Sequence, residues 1–409
     1  MRLNNNLVIL DDIADPECVG VYNPYSNSFS VVHKKIYDYL LSQAQCDGFK
    51  NIYDDLLPEQ VDTFINNGIF IADEQHYETK KHVPDLGCRQ HQIRSVYLHL
   101  TMQCNLSCEY CYLSDTLNGE HLTLPIEKWK DALDRLHSAG MQGINITGGE
   151  ALLYDDILEL VSHAKSLGLQ ISLLTNGTLI DINPKVFELI DKCIVSLDTI
   201  SSTKRNGIEN YNVLQNIYDV ANKYPDKISV RSVIVRGLEQ ESEELAEVLK
   251  HRNIQHKKVL CTPWHIDDIC NIPDYDSMEL YDDELAYPVR CGAGDTILAL
   301  DPKGDIFPCQ LMVKPEFKMG NIFDDDWLEQ YKSNDINDKI ACASALEHEQ
   351  CTNCEAKHLC YGSCRALAYG VYGNLESINE FLCDFYKKSA KLSLQRTLNE
   401  VLSKGEDSI

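Results

Sequence analysis

The sequence predicts an α/β protein: a partial (β/α)6 TIM-like barrel with a winged-helix-like N-terminal domain and a cysteine-rich, iron–sulfur C-terminal domain. Three observations lead there. Between Ser95 and Leu260, apolar strand patterns alternate with amphipathic helical ones, the signature of βα units. Ahead of them lies a short module in which strands and helices do not alternate in this way. From Cys291 onward, strand and helix signals weaken while cysteines become dense, as expected where metal clusters organise a small core.

The N-terminal module is expected over residues 1–85. Val19–Asn23 and Phe29–Val32 read as short strands around an Asn-Pro-Tyr-Ser-Asn turn. His33–Ser42 carries Ile36, Tyr39 and Leu40 at helical spacing. Pro58 suits the first turn of a second helix, which runs through Val61, Phe64 and Ile65 to a C-cap signal at Asn67-Gly68. Ile69–Ala72 follows as a strand, and this order predicts the winged-helix-like fold. The polar stretch Glu74–Gln92, with Pro84 and Gly87, predicts a linker, placed at 86–94.

The barrel is expected over 95–270. Its strands are Val96–Thr101, Ile144–Thr147, Leu169–Thr175, Ile194–Asp198, Ser229–Val235 and His256–Leu260. Helices Ile126–Ala139, Ile157–Ser166, Val186–Lys192, Tyr211–Tyr224 and Glu241–His251 fit between them. An acidic, irregular bridge at 271–290 leads to the cysteine-rich domain at 291–385. Residues 386–409 end the chain with an amphipathic helix over Ser389–Leu402.

Composition narrows the function. The chain has 409 residues, room for two or three domains. No run of eighteen apolar residues predicts a membrane span, and the first residues lack a signal-peptide core. Seventeen cysteines without such a signal predict a cytoplasmic protein with reduced thiols, where cysteine clusters bind metal more often than they form disulfides. A net charge of −26 argues against nucleic acid as a partner, because phosphate binding needs a basic face.

Ten of the seventeen cysteines fall into two patterns. The first is Cys104-x3-Cys108-x2-Cys111, just after the first barrel strand. Three thiolates bind three irons of a cubane that needs four ligands, leaving one iron open to a small molecule. Tyr110 can shield one cluster face. A zinc knuckle is the competing reading, disfavoured by the strand-end position and by Gly148-Gly149-Glu150 after the next strand. There the glycines would let the backbone approach a ligand, and Glu150 would accept from an ammonium group.

With Thr175-Asn176-Gly177 and Ser196-Leu197-Asp198, this stretch resembles the radical S-adenosylmethionine superfamily from about Ser95 to Leu260. The resemblance implies a [4Fe–4S] cluster on Cys104, Cys108 and Cys111, with its open iron binding the amino and carboxylate groups of S-adenosyl-L-methionine. One electron, from a flavodoxin- or ferredoxin-type donor, would cleave the sulfonium to a 5′-deoxyadenosyl radical that abstracts a substrate hydrogen. Gly148, Gly149, Glu150, Ser196, Asp198, Arg231 and Tyr110 are the implied cofactor contacts.

The second pattern, Cys291-x12-Gly304-x4-Cys309, Cys351-x2-Cys354-x5-Cys360-x3-Cys364 and Cys383, resembles the SPASM domain of peptide-modifying radical enzymes. It implies up to two auxiliary clusters. Cys351, Cys354, Cys360 and Cys383 would hold the distal one; Cys291, Cys309 and Cys364 would hold the proximal one. Cys270, or else Cys261, is the candidate for an eighth ligand; without either, an open iron could meet the peptide.

The N-terminal module is similar to the PqqD-like recognition element fused to such enzymes. The implied partner is a ribosomal precursor peptide, whose leader adds a strand between Val19–Val32 and the helix around Ile36–Leu40. The candidate helices carry few basic residues, which disfavours a DNA-binding winged helix. The expected function is a radical peptide maturase forming an intramolecular thioether, C–C or C–O cross-link. Oxidation of Ser or Cys to formylglycine and peptide epimerisation are the alternatives. The formylglycine enzymes carry an aspartate base where this chain has Gln310, after Cys309.

Overall fold

The computed structural model describes residues 2–4, 7–11, 13–24, 28–44, 58–71, 91–119, 123–181, 184–261, 263–274, 291–342, 348–354, 356–360 and 362–403. Most of the expected linker and most of the acidic bridge at 271–290 lie outside these residues, as does Ala72 of the strand expected at Ile69–Ala72.

The centre is an eight-stranded sheet. Six parallel strands come from the alternating region: β6 (Ser95–His99), β8 (Gly143–Thr147), β9 (Gln170–Thr175), β10 (Lys192–Ser196), β12 (Ile228–Ile234) and β13 (Gln255–Leu260). They pair in chain order, as right-handed crossovers through intervening helices produce. Helices Ile126–Ser138, Ile157–Ser166, Val213–Lys223 and Glu239–His251 cover the outer face. Their apolar stripes, including Trp129, Leu133, Leu160 and Leu245, join Leu98, Ile146, Leu173 and Val195 in one core. Alternation directs those strand residues outward to the helices and leaves the intervening ones for the concave face. Val186–Lys192, expected to be a helix, divides: a short helix Pro184–Leu189 ends before β10 begins at Lys192.

The sheet does not stop at β6. Strand β14 (Ile297–Leu300) pairs parallel with β6, and β15 (Ile306–Phe307) closes antiparallel on β14. The segment after Cys291 thus extends the barrel sheet, which the weak local signals there did not suggest.

At the N-terminus, β2 (Val8–Leu10), β3 (Cys18–Asn23) and β4 (Ser28–His33) form an antiparallel sheet, followed by helices Lys34–Ala44 and Pro58–Asn66. β1 (Arg2–Leu3) pairs with β5 (Phe70–Ile71). One set of apolar residues, Val19, Val21 and Val32, meets the module's own helices at Leu40, Val61 and Phe64. The other, with Val8, Leu10, Tyr22 and Phe29, meets Ala390, Leu394 and Leu398 of the C-terminal helix, together with Leu359. That helix is longer than expected, running from Cys383 to Ser403, so a boundary at residue 386 falls inside one continuous helix. The packing is close: a Cβ on Gly20 would lie 2.5 Å from Leu398 Cδ2.

Candidate functional site

The cysteine loop leaves the C-terminal end of β6 and is tied down at several points. The Cys104 amide donates to Asn118 Oδ1 (2.9 Å), and Asn176 Nδ2 donates to Asn105 Oδ1 (2.9 Å) while lying 3.8 Å from Cys104 Sγ. Cys108 lies in a two-residue strand, β7 (Ser107–Cys108), antiparallel to β11 (Arg205–Asn206), with Cys108 opposite Arg205. The Gly149 and Glu150 amides donate to Thr101 O and Gln103 O, both at 2.8 Å. Gly148 has φ +138°, and a Cβ there would sit 2.4 Å from Thr101 O; on Gly149 it would sit 2.2 Å from Gln103 O. These glycines permit β8 to close on the root of the cysteine loop.

The three thiols line a single cavity of about 220 Å³ with Gly148, Gly149, Thr175, Asn176, Ser196, Arg205, Arg231 and Gln310. It opens at the C-terminal strand ends, where parallel barrels place their chemistry. Ser196 and Arg231 are register partners on β10 and β12. Arg231 Nε is buried and has no hydrogen-bond partner among the described residues.

Three residues expected to contact a cofactor sit differently. Glu150, 1% exposed, is not among the cavity-lining residues. Its carboxylate accepts from Thr175 Oγ1 (2.7 Å), the Asn176 amide (2.7 Å) and the Leu152 amide (3.1 Å). Burial raises its pKa, opposed by those hydrogen bonds. Asp198, 2% exposed, also lies off the cavity. It accepts from Arg205 Nε (2.6 Å), Arg205 Nη2 (3.0 Å), the Val233 amide (2.8 Å) and the Tyr110 hydroxyl. Tyr110 is thereby turned toward Asp198, and the Arg205 guanidinium lies 5.7 Å from its ring centroid. A lone arginine in the polar loop Ser201-Ser202-Thr203-Lys204-Arg205 carries no local signal, and nothing in the sequence marks Arg205 as part of the site. Its charge balances the buried Asp198, and only the tertiary fold shows that pairing.

The residues suit an iron–sulfur cluster. Burial pushes all three thiols up, Cys108 to about 11, while Arg205 pulls Cys108 and Cys111 back down. Metal must displace those protons, so uptake of the cluster would organise the loop. Among the described residues no three such side chains converge on one point. A cubane takes one thiolate per iron, so its ligands surround it rather than converge.

The C-terminal cysteines separate into two groups. Burial raises Cys309, with Cys364 and Cys291 adding to the effect. Cys360, pushed to about 11 mainly by burial, also feels Cys383, Cys354 and Cys351. Cys364 precedes the helix Arg365–Tyr372, and Cys383 opens the long C-terminal helix. Asn379 Nδ2 donates to Ser363 Oγ (3.2 Å) and to Cys364 O (3.1 Å), joining the two groups. Cys270 is exposed on a 3-10 turn, its thiol donating to Asp267 O (3.1 Å). Burial, with Asp268 next, raises the Cys261 thiol, and none of the trio is among the causes there.

A parallel barrel sheet with three cysteines at one strand end defines a class. Residues 98–250 match the Radical SAM superfamily, and residues 291–355 match SPASM, an iron–sulfur cluster-binding domain. The chain carries both domains, which bind [4Fe–4S] clusters and S-adenosylmethionine. A probable GTP 3′,8-cyclase of Pyrococcus horikoshii is 33% identical over 155 residues, 36% of this chain and 48% of that one. The Bacillus subtilis antilisterial bacteriocin subtilosin biosynthesis protein AlbA is 25% identical, covering 57% and 58%. The radical SAM cyclopropyl synthase TigE of Paramaledivibacter caminithermalis is 22% identical, covering 75% of each. The chain thus spans about half the length of the first curated relatives it matches. Among solved structures, Streptococcus suis SuiB bound to S-adenosylmethionine has a TM-score of 0.55 at 17% identity, covering 94% of this chain and all of that one. SuiB was also solved bound to precursor peptide SuiA, with a TM-score of 0.55 to this chain. Among the described residues, no helix is long and apolar enough to cross a membrane.

Proposed function

We propose that the protein is a radical maturase of a ribosomally made precursor peptide, forming a thioether, C–C or C–O cross-link within it. The observation that carries this reading is the single cavity shared by Cys104, Cys108, Cys111, Ser196 and Arg231, in a chain that also groups four plus three cysteines downstream. The similarity to AlbA and TigE, and the fold shared with peptide-bound SuiB, support a peptide as the substrate.

Cys104, Cys108 and Cys111 hold the first cluster. Gly148, Ser196 and the Nε of Arg231 offer donors to the carboxylate and ribose oxygens of S-adenosylmethionine, while Gly149, its amide held by Thr101 O, lines the cavity. When bound, cluster and cofactor supply a hydrogen-abstracting radical. Glu150 and Asp198 act behind the cavity wall, Glu150 holding the Thr175–Asn176 turn and Asp198 holding Arg205.

Cys351, Cys354, Cys360 and Cys383 hold the distal auxiliary cluster; Cys291, Cys309 and Cys364 hold the proximal one. The Cys270 thiol is exposed and donates to Asp267 O, so an open proximal position is the better reading. Beside the main cavity, Tyr112, Leu113 and Gln310 also line a second one of about 180 Å³, with Leu311, Val313 and Pro315. Asp115, Thr116, Lys314 and Glu316 complete its lining, and an apolar wall with charged residues at hand suits a peptide segment. Gln310 is a neutral amide and cannot serve as a base, which disfavours formylglycine formation.

The leader docks on the N-terminal sheet, in a winged-helix-like, PqqD-like module. β4 is an edge strand that carries the exposed Val31 (39%), and the helix that follows it, Lys34–Ala44, exposes Leu41 (37%). Strand addition there would provide backbone affinity, with side-chain pockets for specificity.

The test is anaerobic co-expression with the short peptide encoded beside the gene, followed by high-resolution mass measurement. Loss of a hydrogen pair per cross-link, absent when Cys104, Cys108 and Cys111 are all changed to Ala, is expected. A bound peptide of unchanged mass would overturn the cross-linking reading.

A further inference from the structure

The Asp198–Arg205 pair is more elaborate than a fold-holding ion pair requires. Arg205 is 6% exposed and Asp198 2%, and the guanidinium is gripped through two donors, Nε at 2.6 Å and Nη2 at 3.0 Å. The remaining nitrogen, Nη1, points the other way and lies 4.0 Å from Cys108 Sγ. Asp198 is itself fixed by the Val233 amide at 2.8 Å and by the hydroxyl of Tyr110, a residue of the cysteine loop. The backbone repeats the arrangement, since Arg205 and Cys108 are paired across β11 and β7. Arg205 also lines the cavity that the three thiols share.

We propose that Arg205 sets the reduction potential of the cluster held by Cys108, and that Asp198 and Tyr110 are positioning residues that hold it there. The inference rests on the reading of Cys104, Cys108 and Cys111 as cluster ligands. One-electron reduction adds one negative charge to the cluster. A fixed cation beside a ligand sulfur stabilises the reduced form more than the oxidised one, and a guanidinium only 6% exposed is screened less than a surface charge. Arg205 cannot shed its proton to escape burial, so the charge is permanent. Asp198 offsets part of it, and the balance of the pair sets the size of the effect. The bidentate grip keeps Nη1 on the sulfur and leaves little freedom to swing into the cavity.

The experiment is an electron paramagnetic resonance titration of the anaerobically reconstituted full-length protein, with dithionite as reductant. The signal that changes on adding S-adenosylmethionine identifies this cluster among the others. Its presence in the parent, and its absence when Cys104, Cys108 and Cys111 are Ala, tests the ligand assignment separately. In Arg205→Gln the midpoint of that signal should shift to more negative potential. In Asp198→Asn, which removes the opposing anion, it should shift to more positive potential. Loosening of the loop would move both variants the same way, so opposite signs are the diagnostic outcome. Iron content is measured first. Should Arg205→Gln not load iron, Tyr110→Phe replaces it: the midpoint should shift while iron content stays at the parent level. Midpoints equal to the parent, or shifts of the same sign in the Arg205 and Asp198 variants, would overturn the proposal.

Discussion

Glu150 and Thr175 meet 2.7 Å apart through a hydrogen bond from the threonine hydroxyl to a carboxylate oxygen, joining the ends of β8 and β9 beneath the cysteine loop. With the Asn176 and Leu152 amides on the same carboxylate, the acid of the Gly-Gly-Glu run becomes a brace. Changing it to Gln keeps the shape but turns an NH2 toward a donor. Such a buried mismatch costs about 1–3 kcal/mol. Urea unfolding of Glu150→Gln against the parent checks this; an unchanged midpoint would show that the brace contributes nothing.

Gly149 predicts a sharper local effect. A methyl group there meets Gln103 O at 2.2 Å and Cys104 Cβ at 3.1 Å. Both neighbours belong to the cysteine loop, and one is backbone. Gly149→Ala should therefore reduce iron bound at the first site while leaving the downstream cysteines loaded. Iron quantification in a background lacking the seven downstream cysteines isolates the effect.

His99 is fully buried at the end of β6, and neither ring nitrogen has a hydrogen-bond partner among the described residues. Burial depresses its pKa from 6.5 to about 4. The unfolded chain therefore binds the proton first as pH falls, and between about pH 6.5 and pH 4 the unfolded state holds more protons than the native one. Stability contributed by neutral His99 is present above pH 6.5 and declines as pH drops through that window, by about 3 kcal/mol in all. His99→Leu should flatten this part of the stability profile. A profile identical to the parent in denaturant titrations from neutral to mildly acidic pH would refute the assignment.

The N-terminal sheet and C-terminal helix should fail together. Gly20→Val would drive a side chain into Leu398, a position only 2.5 Å from a Cβ at residue 20. Leu398→Ala removes a buried leucine, a change that typically costs about 2–5 kcal/mol. Hydrogen exchange at Cys383–Ser403 should rise in either variant and recover in part when both changes are combined. Exchange confined to β3 in Gly20→Val would show that the two elements open independently.

Much of the barrel was legible because its signals are local. Ile157–Ser166 stands at the expected bounds, and the six parallel strands lie within two residues of theirs, since β-branched runs and amphipathic stripes report burial directly. That Cys104, Cys108 and Cys111 line one cavity was legible for the same reason: three cysteines on one loop are written close together. Ile297–Leu300 was harder, being a four-residue strand whose partner lies some two hundred positions earlier. Arg205 left no trace in the sequence, because a buried ion pair is defined by what surrounds it and not by its neighbours in the chain.

The sequence by itself determined the alternating α/β core, the loop that carries Cys104, Cys108 and Cys111, and the density of cysteines after Cys291. Tertiary structure alone decided which polar residues face the cavity. Ser196 and Arg231 do, whereas Glu150 and Asp198 are turned inward to satisfy backbone amides and Arg205. The physical reason is that strand alternation and burial are properties of a segment. The direction of a buried carboxylate is instead set by donors that distant segments bring to it, and leaving them unpaired would cost more than any local preference can supply.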